Sequence, residues 1–234
     1  MIFIEKVKIP RTARRHCDKI YHVGDKQNRY LADAMYTKNK KITYDTSDKL
    51  IRAALKNKLQ ELYKHDPMLR VIEEFGVNHG SVRADIAVVN GIMHGYEIKS
   101  DRDTLNRLSE QVKAYNSVFD KVTIVVGFSH IYKVMEMIPD WWGVDIAKPD
   151  GGGAIVFSQI RKPQFNRNRD RMAIARLLWR GEALCLLKEA DEARGYYSKP
   201  RGIIYEHLAS VLETNELSDK VREILCLRTA WRSV

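Results

Sequence analysis

From residue 47 onward the chain switches between two hydrophobic periods, and each switch marks an element. Ser47 or Asp48 is placed to cap a helix in which Ile51, Ala54, Leu55, Leu59 and Leu62 recur at helical spacing, and Asp66-Pro67 ends it. Three strand-like segments follow at 69–75, 82–89 and 92–100, separated by Asn78-His79-Gly80 and by Asn90-Gly91, a strong hairpin signal. In the second, Val82, Ala84, Ile86 and Val88 share one face and Arg83 and Asp85 the other; in the third, Tyr96 and Ile98 oppose Glu97 and Lys99. Leu105, Leu108, Val112, Tyr115 and Phe119 predict a helix over 103–119, capped by Asp101 or Asp103. The apolar run at 121–127 reads as a buried strand, and a helix near Tyr132–Met137 ends at Pro139. Two short strands, WGVDIA and GAIVFS, flank a turn at Asp150-Gly-Gly-Gly, with Trp141 and Trp142 expected to pack beneath it. From about Arg169 the signal is helical in three stretches, 172–190, 203–213 and 216–228, with a Pro- and Gly-punctuated loop at 194–202. The order helix, three strands, helix, strand predicts an α/β fold with a mixed central sheet and a helical C-terminal part.

The first 46 residues show less periodicity: a short strand at Ile2–Ile9 that stops at Pro10, then a polar stretch around 37–41. Three regions result: an extension (1–46), a central domain (47–160) and a helical region (161–234). Charge sharpens this division. The chain has 234 residues with 40 Lys and Arg against 30 Asp and Glu, a formal +10. Residues 1–46 carry 11 basic and 5 acidic side chains, net +6; residues 47–159 carry 14 and 15, net −1; residues 160–234 carry 15 and 10, net +5. A basic protein whose centre is slightly acidic suggests a polyanionic partner held by the flanks, with salt-sensitive affinity following those flanks. At 44% hydrophobic and 30% charged, the composition excludes a disordered chain, a coiled coil and a collagen-like repeat. No run approaches the ~18 consecutive apolar residues of a membrane span, and the apolar start is too short for a secretory signal, so a cytoplasmic protein is expected. Cys17, Cys185 and Cys226 form no Cys-x-x-Cys pair, and Cys17 with His22 lacks the partners of a zinc site.

The acids of the central region carry the candidate chemistry. Asp85 and Glu97 lie on successive strands of a predicted hairpin, and neighbouring antiparallel strands can bring two such carboxylates to one cation. Carboxylate oxygens suit Mg²⁺ or Mn²⁺, which keep water in their shells and accept phosphate oxygens. Lys99, two residues after Glu97, projects from the same strand face, where an ammonium can orient a water or stabilise developing charge. A Glu-x-Lys triplet alone is weak, since a solvated surface pair worth about 0–1 kcal/mol explains it equally well. Its position after Asp85 and before a helix and a buried strand gives it weight.

RADIAVV, GYEIKS and the following helix with QVKAY resemble the PD-(D/E)XK nuclease superfamily, in particular RecB- and Holliday-junction-resolvase-like members and a bacterial and phage group with RADIAVVNG…YEIKSDRDTLNRLSEQ at its centre. The resemblance covers about residues 47–160 and implies a restriction-endonuclease-like α-β-β-β-α-β core. It implies Asp85 and Glu97 as metal ligands, with the Ile98 carbonyl joining them, and Lys99 as the catalytic lysine. Gln111 and Tyr115 match a Gln-x-x-x-Tyr motif, and their i, i+4 spacing puts them on one helix side to contact DNA or steady the site. A further acid is expected on the first strand or helix, with Glu74 chosen and Glu73 held in reserve. Alternation does not choose, since Glu73 shares a face with Leu69, Val71 and Phe75, and Glu74 with Ile72. Ala84 stands where the motif has proline.

The expected function is a Mg²⁺- or Mn²⁺-dependent nuclease cutting phosphodiester bonds in DNA, in repair, recombination or phage and defence settings. Arg83 would meet phosphate or pair with an acid, and Asn106, Arg107 and the basic run at 161–171 would contact phosphates. Homodimerisation is compatible with the resolvase-like resemblance. The rivals are a nuclease-like fold that binds nucleic acid without cutting it, and a regulator in which the C-terminal helices form a helix-turn-helix-like unit; a plain packed helical extension is the simpler expectation for those helices.

Overall fold

The computed structural model describes residues 46–228. The expected strand at Ile2–Ile9, the polar stretch at 37–41 and the Cys17/His22 pair lie outside the described residues. Helix α1 (Asp48–Leu62) leads into strands β1 (Arg70–Val77), β2 (Val82–Val89) and β3 (Met93–Lys99). Helix α2 (Leu108–Val118) crosses over to β4 (Lys121–Val126), and α3 (Ile131–Met137) to β5 (Gly143–Pro149), which hairpins into β6 (Ile155–Arg161). Four helices follow: α4 (Arg171–Ala175), α5 (Arg180–Glu189), α6 (Arg201–Val211) and α7 (Thr214–Leu227). The α-β-β-β-α-β order is thus present, within a six-stranded mixed sheet ordered β1-β2-β3-β4-β5-β6. Pairs β1–β2, β2–β3 and β5–β6 are antiparallel, and β3–β4 and β4–β5 parallel, as their helical crossovers require. Among the described residues no helix is long and apolar enough to cross a membrane.

Burial follows the predicted stripes with instructive exceptions. Ile51, Leu55 and Leu59 of α1 lie against Ile86, Val88, Tyr96, Ile98 and Val125 of the sheet, whereas Leu62 ends the helix 63% exposed. On the opposite face, α2 buries Leu108, Tyr115 and Val118, and the Phe119 ring fills the space at Gly95 that a Cβ would otherwise occupy. The helix starts at Leu108 rather than near 103, because Asp101 and Asp103 cap other backbone. Asp103 accepts from the Ser100 amide (2.7 Å) and hydroxyl (2.6 Å), and Asp101 accepts from the Thr46 hydroxyl (2.6 Å) and the Ser129 amide (2.8 Å). Trp142 packs not beneath the Gly-rich turn but behind Tyr115, 5.9 Å centroid to centroid, with its indole N–H on Asn116 Oδ1. The helical stretch predicted at 172–190 is broken before α5, where Glu182 accepts from the Trp179 amide (2.6 Å) at the helix start.

The C-terminal helices are tied to the sheet by one buried acid. Asp120, 4% exposed at the end of α2, accepts from the Met93 amide (2.6 Å), from Arg222 of α7 (3.2 Å) and from Arg169. The 161–171 run is therefore partly internal: Arg169 serves this tie, and Arg161 binds the Trp142 and Pro139 carbonyls (2.7 and 3.0 Å). Asp120→Ala leaves two guanidinium groups without their buried partner and should lower the unfolding free energy by about 3–5 kcal/mol in urea titrations. A loss below about 1 kcal/mol would show that the helices dock without this tie.

His94 on β3 gives a second expectation. Buried between Thr123 Oγ1 (2.9 Å) and the Tyr96 hydroxyl (3.2 Å), it is pushed down to about 3 by burial and by the nearby Lys121. Unfolding restores an ordinary histidine near 6.5, so between about pH 6.5 and 3 the unfolded chain binds the extra proton. Stability from this group is complete above pH 6.5 and is lost as pH falls towards 3, at up to about 1.4 kcal/mol per pH unit. His94→Gln should flatten the pH dependence of the urea midpoint over that window relative to wild type; parallel profiles would refute the assignment.

Candidate active site

The site forms where the β-ladder fails. Strands β2 and β3 pair from Val89↔Met93 to Ile86↔Tyr96 and then part, so that Asp85 and Glu97, next in register, flank the opening. On its other side β2 also lacks the Glu74 partner, although Glu73↔Ile86 and Phe75↔Ala84 both pair. Side chains supply the missing backbone bonds. Asp85 Oδ2 accepts the Ile98 amide (2.6 Å), and Arg52 Nη1 donates to the Asp85 carbonyl (3.0 Å). Arg52 also donates to Asp85 Oδ1 (2.6 Å), to Glu74 Oε1 (2.9 Å) and to both Asp48 oxygens (3.2 Å each).

Glu97 is 1% exposed and fully partnered. Its Oε1 accepts from Gln111 Nε2 (2.6 Å) and from Lys99, and its Oε2 lies 2.6 Å from the Tyr115 hydroxyl. That hydroxyl is also 2.6 Å from the Arg83 carbonyl, so its single proton serves one of two acceptors. Burial pushes Glu97 up to about 7, with Asp85 adding repulsion against the opposing pull of Lys99; burial likewise raises Asp85 despite the Ile98 amide and Arg52.

Asp85, Glu97, Ile98, Lys99, Gln111, Arg83 and Glu74 line one cavity of about 420 Å³, together with Asp48, Asp103 and Arg107. Of the sequence-predicted residues only Tyr115 stands behind it, holding Glu97. Gln111 is buried rather than on a solvated helix face, and Val112 is the half-exposed position. Arg83 makes no ion pair among the described residues and faces the cavity. Glu74 lines the cavity with its side chain 54% exposed, whereas Glu73 pairs with Lys56 of α1. Glu74 has a left-handed backbone (φ 51), costly for a non-glycine residue by about 1–3 kcal/mol. It breaks the alternation: Glu73 meets α1, yet Phe75, two residues on, lies 5.8 Å from Phe119 behind α2.

Arg52 was not singled out by sequence reasoning, and Asp48 and Asp103 were read there as helix caps. Arg52 occupies a polar position of an amphipathic helix, and its only sequence signal was the i, i+4 spacing from Asp48.

The donor set suits a hard cation. Its carboxylate and amide donors are oxygens, the buried Glu97 and part-buried Asp85 carboxylates repel each other, and Gln111 Oε1 is a buried acceptor with no partner among the described residues. No group of three or more Asp, Glu, His or Cys side chains with metal-holding geometry occurs among the described residues. Of the cavity's side chains, Asp85 and Glu97 are the carboxylates that would hold a Mg²⁺-sized ion, with water in the remaining positions. Arg52→Met should lower stability by about 2–3 kcal/mol in urea unfolding, with Arg52→Lys recovering only part because it lacks the fork. A loss under about 0.5 kcal/mol would mean that the Ile98 amide alone fixes Asp85.

Fold and site together define an α/β protein with an acid–lysine cleft where two inner strands of a mixed sheet part. The chain belongs to the family described as Bacteriophage P4 protein cII, whose model matches residues 41–233. It is 32% identical over 151 residues to Protein cII of Enterobacteria phage P4, covering 64% of this chain and 56% of that protein, so the match spans little more than half of the relative's length. No solved structure matches the chain.

Proposed function

We propose that this phage-family protein is a metal-dependent nuclease of the PD-(D/E)XK type acting on DNA. The observation that supports it is the convergence of Asp85, Glu97 and Lys99 on one cavity, with Gln111 and Tyr115 both bonded to Glu97. Spacing along the chain does not require this convergence, and it matches the roles implied by the superfamily resemblance. A divalent ion held by Asp85 and Glu97 would neutralise phosphate and lower the pKa of its bound water. The chain's own groups do the rest. Lys99, 9% exposed, presents its ammonium beside Glu97 to orient the attacking water and to offset charge developing on the phosphate. Gln111 and Tyr115 fix the Glu97 carboxylate, and Arg52 and the Ile98 amide fix Asp85. Arg83 and Arg107 face the cavity as phosphate contacts.

One observation favours a second reading: every oxygen of Asp85 and Glu97 already has a protein partner, as expected of a catalytically silent nucleic-acid-binding descendant. One assay decides. The full chain is incubated with single-stranded, duplex and branched DNA, and with RNA, in Mg²⁺, Mn²⁺ or EDTA. The nuclease reading expects metal-dependent DNA cleavage, reduced at least about 100-fold in Asp85→Asn and in Lys99→Met. Cleavage that survives both substitutions would sink the site assignment. Binding with no cleavage of any substrate would favour the silent reading.

A further inference from the structure

Much of the positive charge that follows the sheet is engaged inside the fold. Arg161 holds the Trp142 and Pro139 carbonyls, Arg169 and Arg222 share Asp120, and Arg228 pairs with Glu182 (2.6 Å). Arg180 braces the loop before α6 through the Tyr197 and Lys199 carbonyls. Arg176 and Arg201 differ. Arg176 is half-buried yet makes only a 3.4 Å contact to the neutral Asn78 side-chain carbonyl, and Arg201 has no acidic partner among the described residues.

Both line a cavity of about 650 Å³ between β1 and helices α4–α6, which shares Glu74, Gly80 and Arg83 with the candidate active site. Its two acids, Glu73 and Glu74, are held by Lys56 and Arg52. Arg83, Arg176 and Arg201 thus border one space with no carboxylate paired to them. Helix α6 has no acid in its first turn, so its positive end adds to the field. The charges of Arg201 and Arg176 converge on His79, which burial first and those two charges next hold below an ordinary histidine. Asn78 and His79 stand there in left-handed backbone (φ 48 and 59), which non-glycine residues keep only where their surroundings impose it. A field of one sign in a confined space concentrates ions of the other.

The aromatic groups of this cavity are closed to stacking. Tyr205 is 2% exposed with its hydroxyl on the Leu178 carbonyl (2.8 Å), and the Trp179 ring lies under the Arg228 guanidinium (4.4 Å to the centroid). They form a floor of low polarity, against which an arginine–anion contact is stronger than in open water. Charge over such a floor suits a phosphate, which arginine binds through its fork, and offers nothing to a base.

We propose that Arg176 and Arg201, with Arg83 at the inner rim, bind a nucleic-acid phosphate at a site separate from the Asp85–Glu97 cleft, anchoring the substrate to the C-terminal helices. This rests on the nuclease reading for the molecule that brings the phosphate, and not for phosphate binding itself. Such an anchor adds affinity and register without sequence preference.

The test compares the full chain with Arg176→Ala/Arg201→Ala and Arg176→Lys/Arg201→Lys. Anisotropy of a labelled DNA duplex is measured in EDTA across a salt series. The alanine pair should bind about 10-fold more weakly, with a salt slope reduced by ~0.9 for one lost phosphate contact, and the lysine pair should keep the slope. Urea unfolding is then run in chloride, inorganic phosphate and acetate at equal ionic strength. The alanine pair should unfold at no lower urea than wild type in chloride, which separates charge loss from misfolding. Phosphate should raise the wild-type midpoint more than that of the alanine pair, the general effect of the salt being common to both. Equal phosphate shifts, or wild-type duplex affinity and slope in the alanine pair, would overturn the site. Acetate reproducing the wild-type excess would overturn the phosphate assignment. Duplexes with and without a 5′-phosphate identify the source: a preference for the phosphorylated duplex that the alanine pair loses places a terminal phosphate there, and equal binding of the two an internal one. If these results hold but no substrate is cut, the nuclease reading fails and the phosphate site stands; if cutting is metal-dependent and the alanine pair binds as wild type, the reverse holds.

Discussion

The architecture around the site depends on one backbone amide, that of Ile98, being satisfied by a side chain instead of by a neighbouring strand. An unpaired buried amide costs about 1–3 kcal/mol, so two strands cannot part inside a sheet unless something replaces their bonds. The Asp85 carboxylate replaces one, and Arg52 the bond missing at the Asp85 carbonyl. With those substitutions the strands open far enough for Glu97 and Lys99 to meet a solvent-connected space. The same two side chains then fix the acid that lines it. Stability and site geometry are thus set by the same contacts.

Much of the central fold was legible from period alone. The strands at 82–89 and 121–126, the Asn90-Gly91 turn and the helix ending before Pro139 follow from local chemistry with no long-range term. What escaped depends on contacts made across the chain. The start of α2 shifted because Asp101 and Asp103 are committed to Thr46, Ser129 and Ser100, bonds that no window around residue 103 reveals in full. Val112, expected on the buried stripe, is half-exposed because a buried carboxylate bonded by Gln111, not the apolar stripe, dictates which side of α2 faces inward.

The site was legible as residue types and not as an arrangement. Asp85, Glu97 and Lys99 stood out because a strand alternates and a hairpin aligns. The choice between Glu73 and Glu74 did not, because the alternation rule fails at the residue in question: the left-handed turn of Glu74 sends its two neighbours to opposite layers. Arg52 was invisible for a related reason. A polar residue on a helix reads as solvated until the fold places three acids within its reach.

Asp120 carries a consequence for how the molecule can be divided. The net charge changes sign near residue 160, which invites a boundary there, yet the acid at 120 is joined to positions 49 and 102 residues further along. Electrostatic partition and mechanical partition therefore do not coincide. A shortened chain ending at the charge boundary would keep all six strands and expose an acid whose cations had been removed. The helices are less an appendix to the sheet than the counter-charge to its interior.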